Sequence, residues 1–230
     1  MDVLGKTAIL DPRESLLKPL AQGFKKIYYR SQVKGVKRIP EFFWVSPYEE
    51  DLDSNQVFKE AGFTLLVDFK KFYYNPRYTE QRVRLSKNLI QKDKSEKLMV
   101  AGGGCGVFSI HLNKLYREIF SYDVNEETLH YGALNCMLNK ILNINFLVEE
   151  APKGKEGFDY LAVMPTMQKE YYSDIVFDKN LVFYLLINSK DVESYKLKLN
   201  ETYPGCLLQT RLVRSYGPGQ EIYRFHLYRP

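Results

Sequence analysis

The chain has 230 residues, 45% hydrophobic and 27% charged, with a formal net charge of +5. This composition supports a packed core in one catalytic domain plus a small accessory domain, and it excludes a disordered or fibrous polypeptide. No apolar run reaches the roughly 18 residues of a membrane span, the start MDVLGKTAIL is not a secretory leader, and three cysteines without a CxxC pair exclude a disulfide framework or zinc site.

In chain order, Val3–Leu10 reads as a short strand and about Arg13–Tyr29 as a helix, with a turn around Gly35 and Pro40. Residues 18–38 carry Lys18, Lys25, Lys26, Arg30, Lys34, Lys37 and Arg38 with no acidic residue among them, and Phe24, Tyr28 and Tyr29 interleave with these bases. Cations neutralise phosphates and rings stack on unpaired bases, so this strip is either RNA-facing or a solvated basic face. Residues 41–60 read as irregular. GFTLLVDFKKFYY (62–74) reads as strand, with Tyr73 in the core and Tyr74 at the rim. NPRYT is a turn, because Pro76 biases Asn75 away from helix and Thr79 caps the helix that follows over 80–92. Arg77, Arg82 and Arg84 stand at that helix start within reach of phosphates, and Arg82 alone reads as a surface residue.

After QKDKSEK the pattern alternates. KLMVA is a strand, GGGCG a turn, VFSIHLNKLY a helix, EIFSYD a strand and NEETLHYGALNCMLNKI a helix. INFLVEE, FDYLAVM and LVFYLLIN are further strands, and CLLQTRLVRSY–GPGQ–EIYRFHLYRP is an antiparallel pair around a glycine-proline turn. The fold class expected is therefore α/β: a Rossmann-like sheet over 80–230 with an antiparallel C-terminal edge, preceded by a small α+β domain over 1–79.

Leu98–Asp123 is the most informative segment. Gly102, Gly103, Gly104 and Gly106 let the backbone approach a ligand at a strand-to-helix turn. Asp123 closes the next strand about 20 residues later, where a carboxylate accepts both hydroxyls of a ribose. No Lys-Ser/Thr pair follows the glycines, which disfavours a phosphate-cradling loop, and Ser109 replaces the third glycine of the dinucleotide spacing. Glu149, at the end of the third strand, either approaches an adenine or is a solvated strand-end charge. Pro165, after the fourth strand, either walls a substrate pocket or simply ends that strand.

These residues resemble the tRNA (guanine-37-N1)-methyltransferases and their sister group, the wybutosine-synthesis aminocarboxypropyl transferases. VLGKTAIL is similar to the opening strand of that family's middle domain, and GVKRIP resembles its G-x-x-R-x-P element. LLVDFKKFYYNPR resembles D-x-x-K-x-Y-x-N-P-R, and MVAGGGCGVFSI stands where the family has D-x-F-A-G-x-G-x-F. SYDVNEETLHYGALNCMLNKI resembles D-x-N-P…N-x-x-L-N-K, and the tail resembles the closing hairpin. The resemblance implies that Gly102, Gly104, Gly106, Asp123, Val124 and Glu149 bind S-adenosylmethionine. It implies that Arg38 contacts the target guanine and that Glu80 takes its N1 proton, with Pro165 beside them. Lys25, Lys26, Arg30 and Arg77 would grip the RNA.

Four departures accompany it. Val100 replaces the acidic residue at the first strand's end, and Val163-Met164-Pro165 replaces N-L/P-P. The family glutamate falls on Glu80 only with a one-residue slip and on Gln81 without it. The N-terminal domain that grips the tRNA elbow is expected to be absent. The function expected is methyl transfer from S-adenosylmethionine to guanine 37 of the tRNA anticodon loop. The alternatives are aminocarboxypropyl transfer at the same position or a non-catalytic RNA-binding module. A monomeric cytoplasmic protein, without membrane attachment or metal, is expected.

Overall fold

A computed structural model of the chain describes residues 1–11, 14–34, 39–46, 54–89, 96–166, 172–217 and 219–230. The N-terminal sheet has the order β1 (Asp2–Leu4), β2 (Thr7–Leu10), β3 (Lys26–Lys34), β4 (Ile39–Trp44), with β2 and β3 parallel across the short helix α1 (Leu17–Ala21). The expected strand over Val3–Leu10 is thus a β1–β2 hairpin, folded at Gly5.

The helix expected to continue to Tyr29 stops far earlier. Gly23, at φ +79°, turns the chain after α1, and residues 26–34 are strand. The reason is tertiary: Ile27 and Tyr28 are fully buried, and the Tyr28 ring packs edge-on against Trp44 and Phe69 at about 5 Å. Branched and aromatic side chains fit a pleated, half-buried surface. Nor are 41–60 wholly irregular: β5 (Asn55–Glu60) pairs antiparallel with β6 (Phe63–Asp68) as a two-stranded ribbon. The strand ends at Asp68 and not at Tyr74, so the expected order of the two tyrosines inverts: Tyr74 is buried and Tyr73 half-buried.

Pro76–Tyr78 forms a 3-10 turn whose Arg77 N–H is capped by the Asn75 side chain, leading into α2 (Thr79–Asn88). The second half alternates as expected: β7 (Lys97–Ala101), α3 (Val107–Leu112), β8 (Glu118–Asp123), α4 (Glu127–Asn139), β9 (Ile144–Val148), β10 (Phe158–Thr166), β11 (Asn180–Asn188), α5 (Val192–Thr202), β12 (Leu207–Gly217), β13 (Gln220–Tyr228). The sheet order is β12-β13-β11-β10-β7-β8-β9, parallel from β11 to β9 and antiparallel where β13 joins β11 and β12. One face carries α5 over an apolar cluster that includes Phe183, Tyr195 and Phe225. The other carries α2 and α3 over Val100, Phe108, Leu161 and Tyr184. A further cluster unites β6 residues Leu65 and Val67 with Ile110 of α3 and Tyr131 of α4, so the ribbon is packed onto the cofactor-type fold.

Candidate active site

The strand order reverses between β7 and β10, with β8 and β9 on one side and β11 on the other. In such a sheet the crevice beyond the strand ends at this switch point is where ligands bind. The glycine loop fills its floor. Gly102 and Gly104 have φ of +69° and +55°, a backbone that only glycine adopts at little cost. A Cβ at Gly104 would meet no atom within 4 Å, so the loop surface opens onto free space there. Gly103 turns inward: a Cβ on it would lie 2.1 Å from Ser121 Oγ.

Asp123, at the tip of β8, accepts from Gly104 N–H at 2.8 Å and from Asn125 N–H at 2.9 Å. Burial raises its pKa, partly offset by these amide bonds. Each carboxylate oxygen retains a lone pair for a hydroxyl donor. An open glycine turn beside a fixed, half-buried carboxylate fits a ribose-bearing cofactor such as S-adenosylmethionine. Val124 is half-buried next to Asp123; Glu149 is exposed, close enough to Tyr122 to raise that phenol's pKa after burial has done so.

Three asparagines hold this crevice to β6 and the segment just after it, and the residue pattern alone assigns them no role. Asn125 donates to Lys71 O at 2.9 Å. On α4, Asn135 accepts from Leu66 N–H at 2.6 Å and donates to Leu66 O at 3.0 Å, while Asn139 does the same to Thr64 at 2.9 and 2.7 Å. Residues two apart on a strand are separated by about 6.8 Å and residues four apart on a helix by about 6 Å. Two carboxamides at i and i+4 therefore continue the free edge of β6 as a neighbouring strand would. The N-x-x-L-N spacing was the available signal. Gly132 lies three residues before Asn135 on the same helix; a Cβ there would come within 2.4 Å of the Phe146 ring.

A buried ionic hub stands behind the loop. Glu60 receives Arg82 Nε and Nη2, both at 2.6 Å, Thr79 Oγ1 at 2.7 Å, and the Tyr74 hydroxyl, with His111 Nε2 at 2.9 Å. Burial would raise the Glu60 pKa, but hydrogen bonds from His111 and Arg82 and the Arg82 charge outweigh it and hold the carboxyl far below its ordinary value. Arg82, expected at the surface, is 3% exposed, because its charge is matched inside.

The other expected site residues divide. Glu80 is exposed and ion-paired with Arg84 on the same helix, whereas Gln81 is buried. Lys25 is exposed and Lys26 half-buried. Arg30 and Arg77 come together around the acidic pair Asp2 and Asp11, Arg30 at 3.1 and 2.8 Å, Arg77 touching Asp2 and lying 3.7 Å from Asp11. Of the interleaved aromatics, Tyr28 is core and unavailable for stacking. Arg38 lies outside the described residues, and of Pro165 only its backbone, within β10, is described. Among the described residues no cluster of three metal-ligating side chains occurs and no helix is long and apolar enough to cross a membrane.

Residues 56–192 match the TRM5/TYW2 methyltransferase domain. Trm5b of Methanocaldococcus jannaschii, a tRNA (guanine(37)-N(1))-methyltransferase, is 26% identical over 96% of this chain and 68% of its own length. The Pyrococcus abyssi Trm5b is 27% identical over 62% of this chain, which spans less than half, 45%, of that relative. Among solved structures, aTrm5 in complex with tRNALeu superposes with a TM-score of 0.80 at 24% identity, covering 100% of this chain and 71% of that one. TYW2 of M. jannaschii in complex with AdoMet superposes at 0.66 with 16% identity, covering 99% and 98%. These superpositions show the fold.

Proposed function

This chain belongs to the family of the TRM5/TYW2 methyltransferase domain, and on that premise we propose that it transfers the methyl group of S-adenosylmethionine to N1 of guanine 37 in the tRNA anticodon loop. The observation that carries the reading is the open glycine turn hydrogen-bonded to Asp123 at the sheet's switch point. When bound, S-adenosylmethionine supplies a methyl group made electrophilic by the sulfonium. Gly102, Gly104 and Gly106 would floor its site, Asp123 would hold the ribose hydroxyls, and Val124 and Glu149 would lie toward the adenine.

Guanine N1 is a nucleophile only once its proton leaves, so a base and a cation beside the purine are required. Glu80 is the proposed base and Arg38 the cation; Pro165 walls the pocket. To reach N1, Glu80 must exchange its pairing with Arg84 for the substrate. Lys25, Lys26, Arg30 and Arg77 lie on the 1–79 portion, which we assign to the RNA, and 80–230 to the cofactor. The proposed protein works on tRNA as a monomer in the cytoplasm.

A second reading, aminocarboxypropyl transfer at the same position, is favoured by Val163 in place of the motif asparagine. The two reactions differ in which carbon next to the sulfonium is attacked. Incubation of tRNA with cofactor labelled either in the methyl or in the carboxyl carbon separates them. Methyl label in RNA is the expected result; carboxyl label would replace the first reading with the second. Label in neither, with no cofactor binding, would leave an RNA-binding module.

A further inference from the structure

Beneath α2 the protein buries a positive charge with no counter-ion among the described residues. Arg224 is 4% exposed, forms no ion pair there, and its Nη1 has no hydrogen-bond partner. Two more buried polar atoms are likewise unpartnered: Tyr184 OH and Gln81 Oε1. The topology brings the three together. Tyr184 and Arg224 are register partners across β11 and β13, so both rise from one sheet face. That face lies under α2 and α3, because the Tyr184 ring meets Tyr78 and Phe108 at centroid distances of 5.9 and 6.0 Å. Gln81 sits one helical turn from Leu85 and close to Tyr78, both in the apolar cluster that contains Tyr184, so its buried side chain points to the same face.

In height they stand level with the end of β7, with β11 two strands and β13 three strands from it in the sheet. Ala162 of β10 is register-paired with both Ala101 of β7 and Phe183 of β11. Tyr184 therefore stands level with Gly102, the first glycine of the loop.

A guanidinium cannot shed its proton, and buried charges persist when paired. The contrast with Arg82 is direct, since both Glu60 oxygens receive that guanidinium. His226, two residues along β13, supplies no anion: burial, and then the Arg224 charge, hold its pKa down at about 4. Water would satisfy the N–H groups and leave the charge. The remaining partner is an anion, and the neighbours define its type. Arg224 and Tyr184 are donors suited to a carboxylate, while the Gln81 oxygen accepts from an ammonium beside it.

We propose that Arg224, Tyr184 and Gln81 form a subsite for the carboxylate of an α-amino-acid group, supplied either by the amino-acid arm of S-adenosylmethionine or by a free small carboxylate. The first source rests on the cofactor reading above; the second does not. The test compares wild type with Arg224→Met in two measurements. Thermal unfolding with and without added sodium formate reports the subsite itself. Removing an uncompensated charge should raise the variant's Tm in formate-free buffer, and formate should raise Tm of wild type only. Calorimetric titration with S-adenosylmethionine and with methylthioadenosine, which lacks the amino-acid arm, identifies the source.

If the cofactor's arm is the ligand, the variant should bind S-adenosylmethionine about tenfold more weakly, the scale of one charge-assisted hydrogen bond, and methylthioadenosine unchanged. A formate effect with both nucleosides unaffected supports the free carboxylate. A variant less stable than wild type, with formate inert on both, would overturn the subsite, because Arg224 would then be satisfied within the protein. If wild type binds neither nucleoside, the cofactor reading fails and the formate comparison alone decides. Should Arg224→Met not fold, Tyr184→Phe, which removes one hydroxyl, carries the same measurements.

Discussion

Replacing Glu60 by Gln should destabilise the protein severely, and the magnitude follows from the hub. The substitution keeps shape and removes one charge, leaving the Arg82 guanidinium, 3% exposed, without its partner at 2.6 Å. Breaking a buried pair by removing one member costs about 3–5 kcal/mol, a large part of the roughly 5–15 kcal/mol that holds a domain together. With a urea slope of about 2 kcal/mol/M, the unfolding midpoint should fall by roughly 2 M. The fluorescence of Trp44, packed against Tyr28 at 4.9 Å, follows the transition. Replacing both partners, Glu60→Gln with Arg82→Met, should recover part of the loss. Acid adds an independent check. The folded-state pKa of Glu60 lies far below its ordinary 4.5, so its contribution is complete above pH 4.5 and is lost as pH falls below that value. Wild type should therefore weaken on acidification more steeply than Glu60→Gln. A single substitution that costs under about 1 kcal/mol, or a double that is no better than the single, would refute the charge-matching argument.

Asn135→Ala and Asn139→Ala should each cost about 1–3 kcal/mol by orphaning backbone groups of β6; amide exchange at Thr64 and Leu66 should accelerate, and unchanged protection would disprove the edge-strand role. Gly132→Ala forces a Cβ to within 2.4 Å of Phe146, an overpacking worth about 1–3 kcal/mol. Phe146→Leu should relieve it in thermal unfolding, and a neutral Gly132→Ala would show that the ring moves freely. Lys25→Ala with Lys26→Ala should reduce the salt dependence of tRNA binding by a slope of about two; no change in slope would make this strip a solvated face.

Local pattern determined the second half of the chain. The alternation from Lys97 onward, the glycine turn and the carboxylate closing β8 are encoded within short windows. Periodicity, turn chemistry and strand-end position there all agree. The α/β sheet with its antiparallel edge was accordingly legible in the sequence, as was the placing of the glycine turn beside the strand that ends at Asp123. The first half was not. Lys26–Lys34 has no period that separates strand from helix, and Tyr28 is strand because Trp44, Phe42 and Phe69 enclose it. Nor can a sequence say which arginines are inside. Arg82 is buried because Glu60, 22 residues earlier, comes to it, and Arg30 and Arg77 converge because Asp2 and Asp11 lie between them. Charge matching across the fold depends on distances that only the packed chain creates, and Arg224, buried without a match among the described residues, came into view only there.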